Sequence, residues 1–284
     1  MIFVTGGGGN VGGEVVRVLR SSGAKLRVGY HSPDKVERAR REGIDAVAFD
    51  YAKPETLRPA LEGADTLFLV SGNSPDQTAR ELAAVREAQQ AGIRRIVKLS
   101  VWGAESESFS FAKIHRPVER AIEAAGFSWT FLRPNGFMQN VVTYMAPTIQ
   151  TMNAFYQPAG ESRISHIDVR DIAAVAARAL TEDGHQGRAY DLSGPAALTY
   201  GEIADQLSAA LGRKISYVHL PPAEYRQAVL QAGVPAWLAD ALLELYDYYR
   251  DGKASRVTDA VERISGRPPI SFARFACDHA ALLR

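Results

Sequence analysis

The residue pattern with the clearest chemistry stands near the start of the chain. The apolar run Ile2-Phe3-Val4 leads into Thr5-Gly6-Gly7-Gly8-Gly9-Asn10-Val11-Gly12-Gly13. Glycines placed after a strand and before a helix let backbone N–H groups face a pyrophosphate, with the helix N-terminus behind it and no Cβ in the way. The run fits G-x-x-G-x-x-G through Gly6, Gly9 and Gly12, and also G-x-G-x-x-G through Gly7, Gly9 and Gly12. Both spacings point to a dinucleotide, with Thr5, Asn10 and Val11 interleaved in the same cofactor-binding segment. The bland alternative is a flexible turn that packs a helix tightly on a strand.

A dinucleotide site requires particular elements around it, and the chain supplies them. Apolar runs at Ile2–Thr5, Leu26–Tyr30, Ala46–Phe49, Thr66–Val70, Arg95–Ser100 and Trp129–Leu132 read as strands. Helical patterns at Glu14–Ser21, Lys35–Arg41, Pro54–Glu62, Thr78–Gln90 and Lys113–Ala125 alternate with them. Such alternation predicts an α/β fold, a doubly wound parallel sheet with helices on both faces. Continuous apolar strands fit burial on both sides. Pro117 lacks the N–H that would bond the residue 113 carbonyl, so the last of these helices is expected to kink near Lys113 or to start at Pro117.

Beyond about residue 150 helices dominate, at Val169–Thr181, Tyr200–Leu211, Ala223–Ala232, Trp237–Arg250 and Ala273–Leu283. Short strands are expected near Ala189–Leu192 and Ile215–Val218. The expectation is a nucleotide-binding domain over 1–150 and a smaller, mostly helical substrate-binding lobe over 151–284.

Composition removes several function classes. With 46% hydrophobic and 23% charged residues, the 284-residue chain has ordinary globular composition, not that of a disordered one. Its formal net charge of +1 gives no electrostatic case for nucleic acid or an anionic membrane. The lone Cys277 excludes an intrachain disulfide, and no Cys/His group has zinc spacing. No apolar run approaches the ~20 residues of a membrane span. Met1–Val4 reads as a first strand and not as a signal peptide. A cytoplasmic monomer or homodimer acting on a small molecule is the expectation. His166, Asp168 and Asp171 suggest a metal only at a glance, because Asp168 or Asp171 is better placed to cap a helix starting near Val169.

Further along, the chain resembles a known family. Thr5-Gly6-x-x-Gly9-x-x-Gly12 is similar to the loop of extended and atypical short-chain dehydrogenases/reductases. Val97-Lys98-Leu99-Ser100, Leu132-Arg133-Pro134-Asn135-Gly136-Phe137-Met138-Gln139-Asn140 and Ile167-Asp168-Val169-Arg170-Asp171-Ile172-Ala173 resemble segments of the NmrA-like group. That group contains NAD(P)H-dependent reductases and non-catalytic regulators. The resemblance implies cofactor contacts at Ser100 and Pro134 in addition to the loop.

It also bears on which nicotinamide cofactor is used. NAD sites usually place an acid at the end of the second strand to bind the ribose diol. This strand ends Gly29-Tyr30-His31-Ser32-Pro33-Asp34-Lys35, with no acid at its end. His31 stands where the group commonly has a phosphate-gripping arginine, and Lys35 and Arg38 add charge nearby. NADPH is therefore the expected cofactor, with NADH possible. The alternative is that His31 and Ser32 merely open a turn. Asp50 occupies a position that touches adenine in the family, or else is a turn carboxylate. Val70-Ser71-Gly72, at a strand's carboxyl end, is expected to face the cofactor.

Phe109-Ser110-Phe111-Ala112-Lys113 aligns with the family's Tyr-x-x-x-Lys. Phenylalanine has no proton to exchange, so a tyrosine acid is missing while Lys113 remains to hold the ribose and assist transfer. His115 is a possible substitute donor. This favours substrates that accept hydride readily, such as quinones, enones and iminium compounds. Asn135, Phe137, Met138 and Asn140 are expected to line an apolar pocket with polar anchors. Tyr246, Tyr248 and Tyr249 border that pocket, a subunit contact or ordinary core. The rival reading is a regulator that binds NAD(P) without chemistry.

Overall fold

A computed structural model describes residues 1–284. The chain divides into two compact units: Met1–Glu105, Lys113–Arg133 and Ile172–Tyr190 form one, and Ser106–Ala112, Pro134–Asp171 and Asp191–Arg284 form the other. The expected single boundary at 150 is not how these units fall. The chain re-enters the first unit at Ile172, so its composition change near 150 does not mark a structural border.

In the first unit the strands are β1 (Ile2–Val4), β2 (Leu26–Tyr30), β3 (Ala46–Ala48), β4 (Thr66–Leu69), β5 (Arg95–Leu99) and β6 (Ser128–Pro134). After a further strand of the second unit, β7 (Ala154–Gln157), the chain returns with β8 (Arg188–Leu192). The seven-stranded sheet has the order β3-β2-β1-β4-β5-β6-β8. Strands β1 to β6 run parallel, with Phe3 beside Arg27 on one side and Leu67 on the other. This is the doubly wound arrangement expected from the sequence. Strand order reverses between β1 and β4, and such a switch point opens a crevice at the strands' carboxyl ends.

Strand periodicity sends Phe3, Leu67, Leu69, Ile96 and Phe131 to one face of the sheet. There they meet Leu57 and Leu61 of α3 (Leu57–Leu61), Ala84 and Val85 of α4 (Gln77–Gln90) and Val118 and Ile122 of α5 (Ser110–Ala124). The alternate residues Val4, Phe68, Val97 and Leu132 are also fully buried, as a sheet covered on both faces requires. Each such Leu or Phe contributes roughly 1.5–3 kcal/mol. Helices α1 (Asn10–Ser21) and α2 (Pro33–Arg41) flank β2, with Val36 and Ala39 packed against Ala46.

Helix α5 runs through Pro117 instead of beginning there. Its proline leaves a turn short of one N–H donor. The Thr78 hydroxyl, on α4, donates to the Ile114 carbonyl in that turn at 2.9 Å.

The second unit holds a parallel pair, β7 with β9 (Ser216–His219), pairing Phe155 with Tyr217. Strand β7 and the preceding α6 (Ala146–Met152) were not expected from the sequence. Helix α7 (Val169–Thr181) starts after Asp168, whose Oδ1 accepts from Arg170 N at 2.9 Å, the capping role expected for it. Helix α8 (Tyr200–Leu211) opens on a Thr199/Glu202 capping box. Helices α9 (Pro222–Gln231), α10 (Ala236–Arg250), α11 (Ala260–Ser265) and α12 (Phe272–Asp278) complete the unit. No helix is long and apolar enough to cross a membrane.

Candidate functional site

The glycine loop connects β1 to α1 at the switch point. Its glycines are required for different reasons. Gly6 has φ +62, and a Cβ there would come 2.9 Å from Val70 Cγ1. A Cβ on Gly12 would lie 2.2 Å from the Gly6 carbonyl oxygen, and one on Gly7 would lie 2.2 Å from Val28 Cγ1. Gly9 is the N-cap of α1, and neither a side-chain cap nor an acidic residue occupies the first turn. Those first-turn N–H groups and the positive end of the helix suit an anion. Side chains at these glycines would strike Val70, Val28 or the loop's own backbone, so the loop lies close under an uncapped helix N-terminus whose free N–H groups suit a dinucleotide pyrophosphate.

Thr5 lies beneath this loop. Its buried hydroxyl donates toward Val70 O at 2.8 Å and accepts from Val70 N at 2.8 Å. It thereby fixes the end of β4 to the end of β1. Val11 and Gly12 are buried, while Asn10 is exposed. Tyr51 donates to Val70 O at 3.1 Å and closes the same corner.

Beside Gly7 and Gly8 is a cavity of about 360 Å³ lined by Tyr30, Arg17, Arg20, Lys35, Arg38 and Glu42 among others. Arg17 pairs with Glu14 at 2.8 Å, and Arg20 donates to the Glu42 carbonyl at 3.0 Å. The side chains of Lys35 and Arg38 have no acceptor in the protein. Lys35 Nζ would be 3.3 Å from a Cβ on Gly8. His31 is exposed at the end of β2. Asp50 accepts from Ala52 N at 2.9 Å, closing a local turn. Arg17 and Arg20 were missed from sequence. Their i, i+3 spacing on one face of α1 was the available signal.

Ser71 follows β4 and donates to Glu81 Oε1 at 2.6 Å. Glu81 is 1% exposed and ion-paired to the fully buried Lys98 of β5. Lys98 also donates to Leu99 O at 3.1 Å, and its Nζ stands 3.1 Å from His115 Nδ1. Burial and the neighbouring Lys98 ammonium push His115 down to about 3. His115 is therefore neutral at ordinary pH and is no source of an imidazolium proton. Burial opposes ionisation of Glu81, but Lys98 and the hydrogen bonds around it hold its carboxyl below the usual range.

Ser100, at the end of β5, is also engaged. Its hydroxyl donates to the buried Glu119 at 2.7 Å. Arg133 grips the same carboxylate through Nε at 3.0 Å and a terminal nitrogen at 2.7 Å. Lys113 differs from Lys98 in having an exposed side chain with no partner in the protein.

In the second unit Phe109 is 1% exposed and packs on Tyr248 with ring centroids 4.6 Å apart. Pro134 and Asn135 are buried. The Asn135 amide donates to Ser165 Oγ at 2.9 Å and to Ala254 O at 2.8 Å, and its oxygen accepts from Gly136 N at 2.9 Å. Asn135 thus fixes the shape of the segment after β6. Phe137 bridges to Ile167, and Met138 is 2% exposed. Phe137 and Asn140 are only partly buried. His166 is buried, which pushes its pKa down to about 4. No group of three or more His, Cys, Asp or Glu side chains is arranged to hold a metal.

A glycine cradle at the switch point of a doubly wound parallel sheet defines a Rossmann-type dinucleotide-binding protein. The NmrA-like family matches residues 1–266, and the chain belongs to that family. It is 38% identical over 282 residues to the NAD(P)H azoreductase of Xenophilus azovorans, covering 99% of this chain and 98% of the relative. An NADPH-dependent quinone oxidoreductase from Escherichia coli, solved with NADPH, is similar with a TM-score of 0.89 and 26% identity, covering 98% and 99% of the two chains. The triphenylmethane reductase of Citrobacter sp., solved with NADP(H), gives 0.86 and 25%, with coverage of 98% and 99%.

Proposed function

We propose that the protein is an NAD(P)H-dependent reductase that transfers hydride to a small apolar electrophile. The observation that carries this reading is the uncapped N-terminus of α1 behind a glycine loop folded so closely that a Cβ on Gly12 would sit 2.2 Å from the Gly6 carbonyl oxygen. Gly6, Gly9 and Gly12, with Asn10 and Val11, hold the pyrophosphate. Val70, Ser71, Gly72, Ser100 and Pro134 shape the cofactor's surroundings, and Asp50 borders the adenine. His31 and Lys35 face a 2′-phosphate, so NADPH is preferred to NADH. The named relatives are reductases, which supports catalysis over a purely sensing role.

When bound, the reduced nicotinamide supplies hydride. The chain's own contribution is binding and orientation. Lys113, with its unpartnered ammonium, holds the ribose. Phe109 stands where the wider family has an acid–base tyrosine, so this chain handles acceptors that need no strong acid at that place. A quinone takes one hydride and one proton to give the hydroquinone, and solvent supplies the proton. Phe137 and Asn140 contact the acceptor, while Asn135 and Met138 position them.

The test is loss of reduced-cofactor absorbance with purified protein and a panel of quinones, enones and iminium compounds. Turnover with NADPH above that with NADH is expected. No turnover with any acceptor and either cofactor would sink the reading.

A further inference from the structure

The cavity beside Gly7 and Gly8 lies wholly within the first unit, between α1 and α2. Its volume of about 360 Å³ is that of a small-molecule pocket, larger than one phosphate group needs. Tyr30, the last residue of β2, reaches it from the sheet. The Tyr30 hydroxyl oxygen would lie 3.3 Å from a Cβ on Gly7, and Lys35 Nζ 3.3 Å from one on Gly8. A phenol and an ammonium therefore stand beside consecutive residues of the loop. Arg38 lies three positions after Lys35 on α2, which puts both on one face of that helix.

Phenols in protein interiors ordinarily find a hydrogen-bond partner. Tyr30 is half-buried, and its hydroxyl has none in the protein, yet it is not among the sealed, unsatisfied polar atoms. Its donor is therefore free in the cavity, as are those of Lys35 and Arg38. Burial and the Glu42 carboxylate raise the Tyr30 phenol above its ordinary range, which keeps the hydrogen in place. Charge leads to the same ligand class. Arg17, Arg20, Lys35 and Arg38 line the cavity, Glu14 pairs with Arg17, and Glu42 adds one carboxylate to the wall. Two positive charges are left over, which match a phosphate dianion.

We infer that Tyr30, Lys35 and Arg38 form a site for a phosphate dianion that works whether or not the phosphate belongs to the dinucleotide: it takes the 2′-phosphate of NADPH, and beside bound NADH it takes a free phosphate. A tetrahedral dianion has acceptor oxygens for the phenol, the ammonium and the guanidinium together, two of these bonds being charge-assisted. NADH brings only a hydroxyl and leaves the surplus charge uncompensated. Free phosphate thus competes with NADPH and tolerates NADH, so the preference for NADPH falls as phosphate rises. The inference rests on the dinucleotide-binding reading and adds a regulating ligand to it.

The experiment is calorimetric titration of the whole protein with NADPH and with NADH, each in inorganic phosphate and in chloride of matched ionic strength. The chloride arm accounts for screening. Phosphate is expected to raise the NADPH Kd about threefold or more above its value in chloride and to leave the NADH Kd within twofold. Tyr30→Phe is expected to keep its Tm, to bind NADPH several-fold more weakly and to show at most half of the phosphate effect. In Lys35→Ala the phosphate effect is expected to vanish. Phosphate acting no more strongly than chloride on wild type overturns the inference. So does an equal rise in both Kd values, which would place the phosphate at the N-terminus of α1, and so does either variant competing like wild type. If neither dinucleotide binds in any buffer, the dinucleotide-binding reading itself falls.

Discussion

The ammonium nitrogen of Lys98 stands 3.1 Å from Nδ1 of His115. The ammonium can only donate, so Nδ1 accepts, and the ring is neutral with its hydrogen on Nε2. An imidazolium at 115 would set two positive charges side by side. The same ammonium is ion-paired to Glu81, which accepts from Ser71 at 2.6 Å. One buried charge thus links β5, α4, α5 and the segment after β4.

This arrangement sets a pH dependence. His115 and His166 are pushed from 6.5 to about 3 and about 4. The unfolded chain therefore binds more protons than the folded one below pH 6.5. The stability these histidines contribute is full above that pH and is lost as pH falls toward 3 to 4. The slope is about 1.4 kcal/mol per pH unit for each ring. Denaturant midpoints should fall steadily from pH 6.5 to 4, and His166→Gln should flatten that slope. Ring signals of His115 that titrate near pH 6.5 would contradict the tautomer argument.

Removing one partner of the buried pair should be costly. In Lys98→Met the Glu81 carboxylate loses its compensating charge while remaining 1% exposed. A loss of about 3–5 kcal/mol is expected from leaving a buried charge unpaired. The double variant Lys98→Met/Glu81→Leu should recover much of it. Urea denaturation of both measures this. If the double variant is no more stable than the single, the pairing is not what holds Glu81 in place.

The glycine loop, the parallel order and the Asp168 cap were legible because each is local. A strand, a turn and a helix start lie within a few residues of one another. Lys98 was not legible as a buried group. In Arg95-Ile96-Val97-Lys98-Leu99 a lysine reads as a surface residue, and its partner Glu81 lies 17 positions earlier on another element. Strand β7 escaped notice because Ala154-Phe155-Tyr156-Gln157 follows a helix after the single residue Asn153, which turns with φ +53. The close packing of His166 and Tyr249 on Gly136 joins residues far apart in the sequence, which does not place them together. Pro117 left two readings open, a kink near Lys113 or a helix start at the proline, and α5 carries the proline inside the helix.

The two outer glycines of the cradle should respond differently from the middle one. Gly12→Ala drives a methyl into backbone, 2.2 Å from the Gly6 carbonyl, so the loop must move. A loss of about 2 kcal/mol or more and of dinucleotide binding is expected. Gly6→Ala adds strain at φ +62. In Gly9→Ala the methyl meets Gly6 O at 3.4 Å, which is near ordinary contact. Its Tm should stay close to wild type, while NADPH affinity drops because the methyl crowds the anion. Equal stability of Gly12→Ala and Gly9→Ala would mean that the loop relaxes freely.

Cofactor choice should be decided by Lys35 and Arg38 more than by Arg17 and Arg20. The latter two already have acceptors, in Glu14 and the Glu42 carbonyl. Lys35 and Arg38 have none, and both line the cavity beside Gly7 and Gly8. Charge-assisted hydrogen bonds to a phosphate contribute roughly 1.5–3 kcal/mol each. Lys35→Ala should therefore weaken NADPH binding by about tenfold or more and leave NADH within twofold. Arg38→Ala should act in the same direction, and Arg17→Ala only slightly. The NADPH effect should shrink at high salt, since the cavity is open to solvent. Calorimetric titration of each variant with both nucleotides reads this directly. An equal loss for NADPH and NADH in Lys35→Ala would assign Lys35 to the pyrophosphate instead of the 2′-phosphate.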